Sequence, residues 1–104
     1  MIVYLITNRL NGKRYVGQSS RTLEQRWSKH LEDVDKASHS YFHNAIRKNG
    51  ADSFKLEILL TSENKDVIDL CERTLIAFYR TREKEKGYNL TDGGDSGVDY
   101  KRKT

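Results

Sequence analysis

Between Lys13 and His30 the chain reads KRYVGQSSRTLEQRWSKH, which sets a tyrosine, a glycine, an arginine and a histidine on one short strand, turn and helix. Arg26 and His30 are four residues apart and share a helix face. A second phenol, Tyr4, precedes them. Glu72 follows on a stretch that surrounds it with Ile68, Leu75 and Ile76 at helical spacing. A carboxylate emerging among apolar neighbours needs a cation to offset its desolvation. Arg26 in a structural salt bridge is one candidate, and a divalent metal is the other. Taken singly, Tyr4 and Tyr15 read as packing residues, Arg26 as surface charge and His30 as a solvated or capping residue. Together they hold what phosphodiester hydrolysis requires: a group to take a proton from water, positive charge for the phosphorane, and a Lewis acid at the leaving oxygen. A phenol of pKa about 10 acts as a base only when cations lower it. Lys13, Arg26 and a divalent ion are the groups available. The chain carries no His-x-x-x-His zinc pattern, no Gly-x-x-x-x-Gly-Lys phosphate loop and no nucleophile elbow.

The elements that must position these groups follow from the periodicity. Ile2 to Thr7 is β-branched and aromatic with apolar side chains on both faces, which predicts a central strand. Asn11-Gly12 is hairpin chemistry. A two-residue turn there would pair Leu10 with Lys13 and Asn8 with Tyr15. A longer loop over Asn8 to Asn11, with Thr7 facing Gly12, would set Tyr4 and Tyr15 directly opposite. The longer loop is preferred because it serves the chemistry. Thr22 with Gln25 forms a capping box ahead of a stripe of Leu23, Trp27, Leu31 and Val34. A second helix is expected from about His39 to Asn49, with Phe42, Ala45 and Ile46 inward and Asn49-Gly50 as its stop. Phe54, Leu56, Ile58 and Leu60 alternate with charged residues as a half-buried edge strand. A third helix is expected from roughly Asn64 to Arg82, with Ile68, Cys71, Leu75 and Phe78 inward, and with Asp66, Asp69 and Glu83 lacking the apolar surround of Glu72. The order β-β-α-α-β-α is an α+β fold: a small three-stranded, mainly antiparallel sheet flanked by three helices.

One domain fits the 104 residues, of which 33% are charged and 36% hydrophobic. No apolar run is long enough to span a bilayer and no signal-peptide pattern opens the chain, so no membrane partner is expected. Cys71 is the sole cysteine, which excludes an internal disulfide and suits a reducing, cytoplasmic setting. A net charge of +4 and a pI near 9.2 are compatible with a nucleic-acid partner.

In order, Ile2-Val3-Tyr4, Lys13-Arg14-Tyr15-Val16-Gly17, Gln25-Arg26-Trp27-x-x-His30, Glu72 and Gly87-Tyr88-Asn89-Leu90-Thr91-Asp92-Gly93-Gly94 resemble the GIY-YIG nuclease superfamily. The resemblance is greatest to catalytic domains of phage and intron-encoded homing endonucleases, and it runs from residue 2 to about 94. Ile2 stands where the motif has glycine, and Val16 where it has isoleucine. The resemblance implies a catalytic domain over residues 1–94 and a mobile basic tail or linker over 95–104. It implies a DNA endonuclease with one Mg²⁺ or Mn²⁺ ion held by Glu72, and an intracellular setting in a phage or bacterial host. Tyr4 or Tyr15 would be the general base, Arg26 the charge on the phosphorane, His30 a proton or phosphate group, and Asn89 a holder of the network or the phosphate. Lys13, Gly17, Lys101, Arg102 and Lys103 would meet the substrate. The alternative is a module of this fold that binds nucleic acid without cutting. A monomer and a transient dimer both fit the sequence.

Overall fold

The computed structural model describes residues 1–36, 38 and 40–93. β1 (Ile2–Asn8) is the centre of a three-stranded antiparallel sheet, flanked by β2 (Arg14–Ser19) and β3 (Phe54–Thr61). Its apolar side chains leave on both faces, and both faces are covered. Tyr4 and Ile6 join Leu23, Phe42 and Tyr88 beneath α1 (Leu23–Asp35) and α2 (Tyr41–Asn49). Val3 and Leu5 join Val16, Ile68 and Ile76 beneath α3 (Lys65–Tyr79). The α+β order is the expected one, with a 3₁₀ turn (Ala51–Ser53) leading into β3. Among the described residues no helix is long and apolar enough to cross a membrane.

Two expectations need correction on the helices and the third strand. α3 ends at Tyr79, where Arg80 turns left-handed (φ 58°), and does not reach Arg82. Its buried face is Ile68, Asp69, Glu72 and Ile76, while Phe78 is 72% exposed. Positions 68, 72 and 76 recur every four residues, and Phe78 falls off that line. On β3 the register slips between Val3 and Tyr4, so Val3 faces Leu60 and Tyr4 faces Ile58. The slip breaks the even alternation and leaves Ile58 exposed.

The β1–β2 register lies between the two readings of the hairpin. The loop is Arg9 to Gly12, closed by Asn8 N–H donating to the Lys13 carbonyl (2.8 Å), and Thr7 faces Arg14. Asn8 sets this closure. Its carbonyl accepts from Gly12 N–H (2.8 Å), its Oδ1 accepts from Leu10 N–H (2.9 Å), and its Nδ2 donates to the Tyr88 hydroxyl (2.9 Å). Gly12 makes the bend at φ 77°. The preferred register put Thr7 opposite Gly12, so the displacement is two residues and the phenols keep a common face. They are diagonal neighbours, not opposite: Tyr4 faces Gly17 and Tyr15 faces Ile6.

This register gives Gly17 its role. A Cβ there would lie 2.9 Å from Cε1 of Tyr4 and closer still to Cζ and Oη. The close approach at this glycine is made by the Tyr4 ring. Gly17→Ala should destabilise the domain by about 1–3 kcal/mol through overpacking, read as a fall in urea midpoint at constant slope. An unchanged midpoint would mean that the Tyr4 ring has another place to go.

Candidate active site

Tyr4 is 1% exposed, so its hydroxyl must find partners inside the protein. α1 supplies two. The Thr22–Gln25 capping box fixes where the helix begins, each side chain accepting from the other's backbone N–H at 3.1 Å. From that start, Arg26 and His30 fall over the phenol. Arg26 Nε–H donates to Tyr4 Oη (3.3 Å), and His30 Nε2 bonds the same oxygen (3.0 Å). Tyr15 is half-buried and stacks on Phe42 with centroids 4.3 Å apart and ring planes 4° from parallel. Its ring centroid lies 6.3 Å from that of Tyr4 and 5.6 Å from that of His30. Tyr15, Arg26, His30, His43 and Asn89 line a cleft of 230 Å³.

Burial is the largest influence on both phenols and pushes them above the usual 10, with the Glu72 carboxylate adding to the rise and Arg26 opposing it. Burial also lowers His30 to about 3, helped by the charge of Arg26 and by His43, so its ring is neutral at physiological pH. Lys13, expected beside the phenols, stands elsewhere. Its ammonium donates to the Tyr41 hydroxyl at 2.7 Å and lies over the Tyr41 and Tyr88 rings.

Glu72 approaches from the other face of the sheet, on α3, and is 7% exposed. Gln18 Nε2–H donates to Glu72 Oε1 and to Asp69 Oδ1, each at 2.8 Å. Lys65 Nζ donates to the side-chain Oε1 of Gln18 and pairs with Asp69 at 2.7 Å. Asp69 thus shares the surroundings of Glu72, against expectation, because Gln18 bridges the two. Gly93, at φ 87°, comes so near that a Cβ would lie 3.2 Å from Glu72 Oε1. Among the described residues no group of three or more His, Cys, Asp or Glu could enclose a metal.

The glycine-rich segment closes the outer edge of β2. Arg14 N–H donates to the Lys86 carbonyl (3.1 Å), and Tyr88 N–H donates to the Arg14 carbonyl (2.9 Å). Asn89 continues the ladder with its side chain: Oδ1 accepts from Val16 N–H (2.9 Å) and Nδ2 donates to the Val16 carbonyl (2.8 Å). Both polar ends are spent on β2, so Asn89 holds the strand that carries Tyr15 and Gly17. Lys101, Arg102 and Lys103, with the expected tail over 95–104, lie outside the described residues.

Sequence reasoning passed over Gln18, Asp69, His43 and Ser38. Gln18 had a signal, since strand alternation sets it on the face opposite Gly17, toward α3. His43 had a weaker one, four residues before Arg47 on a helix whose apolar face includes the adjacent Phe42.

Residues 1–89 match the family model described as the GIY-YIG catalytic domain. The chain is 36% identical over 93 residues to "Intron-associated endonuclease 1" of Enterobacteria phage T4, a match that covers 86% of this chain and 36% of that protein. It is 31% identical over 81 residues to a "Putative MSV199 domain-containing protein 146R" of Invertebrate iridescent virus 6, covering 76% of this chain and 33% of that one. The solved catalytic domain of the homing endonuclease I-TevI superposes with a TM-score of 0.70 at 34% identity, over 86% of this chain and 96% of that one. This chain belongs to the GIY-YIG family. It spans about a third of the length of the curated relatives it matches.

His30 generates a pH prediction. Its folded pKa of about 3 lies below the unfolded 6.5, so the unfolded state binds the extra proton between them. The stability that His30 contributes is complete above pH 6.5 and is lost as the pH falls from there through 3. Its ring proton resonances should hold still from pH 8 to 5. A titration midpoint near 6.5 would contradict the neutral, buried ring.

Proposed function

We propose that this chain is a metal-dependent DNA endonuclease domain that hydrolyses phosphodiester bonds with Tyr4 as the general base. The observation that carries the reading is the pair of bonds on the Tyr4 hydroxyl, one donated by Arg26 and one shared with His30 Nε2. A phenol serves as a base only if its own proton has an acceptor and its oxygen a cation. A neutral imidazole is the acceptor, and the guanidinium is the cation. Tyr15 packs its ring against Phe42 and His30, shaping the cleft wall beside the reacting oxygen.

Water deprotonated at Tyr4 attacks the phosphorus, and Arg26 meets the negative charge that builds on the phosphorane. Arg26 lines both the cleft and a groove of 630 Å³ along α1 that also takes in Arg21, Lys29, Ser19 and Ser20. That groove suits a sugar-phosphate backbone, and phosphate contacts of this kind are blind to sequence. Weak, salt-sensitive and poorly selective binding is the consequence.

The donor set at Glu72 fits a hard divalent cation of the Mg²⁺ class. Such an ion takes one or two carboxylates and keeps its waters and the substrate phosphate as remaining ligands. The space that a side chain at position 93 would fill lies against this carboxylate. When bound, the ion supplies Lewis-acid charge to the leaving oxygen and offsets the carboxylate that raises both phenols.

A plasmid-nicking assay tests the proposal. Supercoiled DNA should be nicked when Mg²⁺ or Mn²⁺ is added, and Glu72→Gln should lose at least about 100-fold in rate while the domain stays folded and bound to DNA at low salt. Full activity of Glu72→Gln with Mg²⁺ would overturn the metal assignment. Binding without nicking by the unaltered chain would make it a non-cleaving module of the same fold.

A further inference from the structure

The Tyr4 hydroxyl is one end of a row of hydrogen bonds that runs well past His30. His30 Nδ1 meets His43 Nε2 at 2.9 Å, and His43 Nδ1 meets Ser38 Oγ at 2.7 Å. His43 is almost fully buried, on the first turn of α2, where its N–H donates to the Ser40 cap at 3.2 Å. Ser38 is itself held in place. Arg47 donates to the Ser38 carbonyl (2.8 Å) and the Val34 carbonyl (2.9 Å), tying the connection between α1 and α2 to the helix that bears His43.

Donor counting leaves two directions for the hydrogens along this row, and the Tyr4 hydroxyl selects between them. Two ring nitrogens 2.9 Å apart must share one proton. Each neutral imidazole carries one N–H, so the two rings run in the same direction. Tyr4 already accepts from Arg26 and is free to donate to His30 Nε2. His30 then donates from Nδ1 to His43 Nε2, and His43 donates from Nδ1 to Ser38. Arg26 and Arg47 facing the pair favour uncharged rings, and Asp33 opposes them.

We propose that His43, seated by Ser38, is a positioning residue of the site. It accepts from His30 Nδ1 and so obliges His30 to present an unprotonated Nε2 to the Tyr4 hydroxyl, and the row carries the proton of Tyr4 to solvent at Ser38. In one pass Tyr4 Oη gives its proton to His30 Nε2, and His30 Nδ1 gives its own to His43 Nε2. His43 Nδ1 gives its own to Ser38 Oγ, and Ser38 releases its hydroxyl proton to water. Tyr4 is left as the phenolate, Ser38 is again a neutral hydroxyl, and each imidazole remains neutral with its hydrogen on the opposite nitrogen. The catalytic part of this inference rests on the reading of Tyr4 as base.

The test reads the tautomer and the rate separately, on the whole chain. With ¹⁵N-labelled histidine, His30 of the unaltered protein should be the Nδ1–H tautomer. His43→Leu removes its acceptor and should move His30 toward Nε2–H, lowering kcat for nicking by about 100-fold with KM unchanged. His43→Gln, which keeps an acceptor oxygen at nearly the same bulk but cannot pass a proton on, should restore the Nδ1–H tautomer while kcat stays within about tenfold of the His43→Leu value; a kcat restored to that of the unaltered protein would overturn the proton row. An Nε2–H tautomer in the unaltered protein would overturn the inference, as would a His43→Leu protein whose tautomer and kcat are unchanged. A chain that cuts no DNA yet shows the tautomer switch would sink the nuclease reading and leave the positioning by His43 standing.

Discussion

The site depends on one side chain lying across one glycine. The Tyr4 ring crosses Gly17, where no Cβ intervenes, and its hydroxyl is satisfied by Arg26 and His30 from the helix above. A buried hydroxyl left without a partner costs about 1–3 kcal/mol, so the packing and the chemistry are set by the same contact. Three local choices have to agree for it to form. The Asn8 closure pairs Tyr4 with Gly17, the capping box starts α1 at the right residue, and the four-residue spacing of Arg26 and His30 brings both to one oxygen.

The same contact leaves the phenol ill-suited to ionise unaided. Burial raises Tyr4, and Glu72 adds to the rise from across β2. The opposing influence is the Arg26 guanidinium, and the neutral His30 ring beside it can take a proton. β2 therefore acts as a partition, with the phenols on one side and the carboxylates with Gln18 on the other. Segment 86–89 locks its outer edge, with Asn89 bonding Val16 through both ends of its amide. A substrate reaching both sides would have to lie over the end of β2 near Gly17 and Gln18, next to the basic groove along α1.

Much of this was legible in the residues. The strand apolar on both faces, the capping box and the Asn49-Gly50 stop are local signals, and each formed where it was expected. The hairpin register was not legible, because two turns fit Asn11-Gly12 and one of the bonds that hold Asn8 in the closure goes to Tyr88, 80 residues along the chain. Phe78 misled because hydrophobicity was counted ahead of the four-residue line through Ile68, Glu72 and Ile76. Lys13 looked placed to meet substrate and to depress a phenol, yet a phenol from α2 claims it. His43 and Ser38 were invisible because their significance lies only in contacts to His30.

The most direct measurement compares Tyr4→Phe with Tyr15→Phe in single-turnover cleavage of supercoiled DNA with saturating Mg²⁺. Each variant removes one hydroxyl and leaves its ring in place. Tyr4→Phe should lose about 100-fold or more in the chemical step with DNA binding intact, and Tyr15→Phe far less. A Tyr4→Phe domain that cuts at the unaltered rate would contradict Tyr4 as the general base.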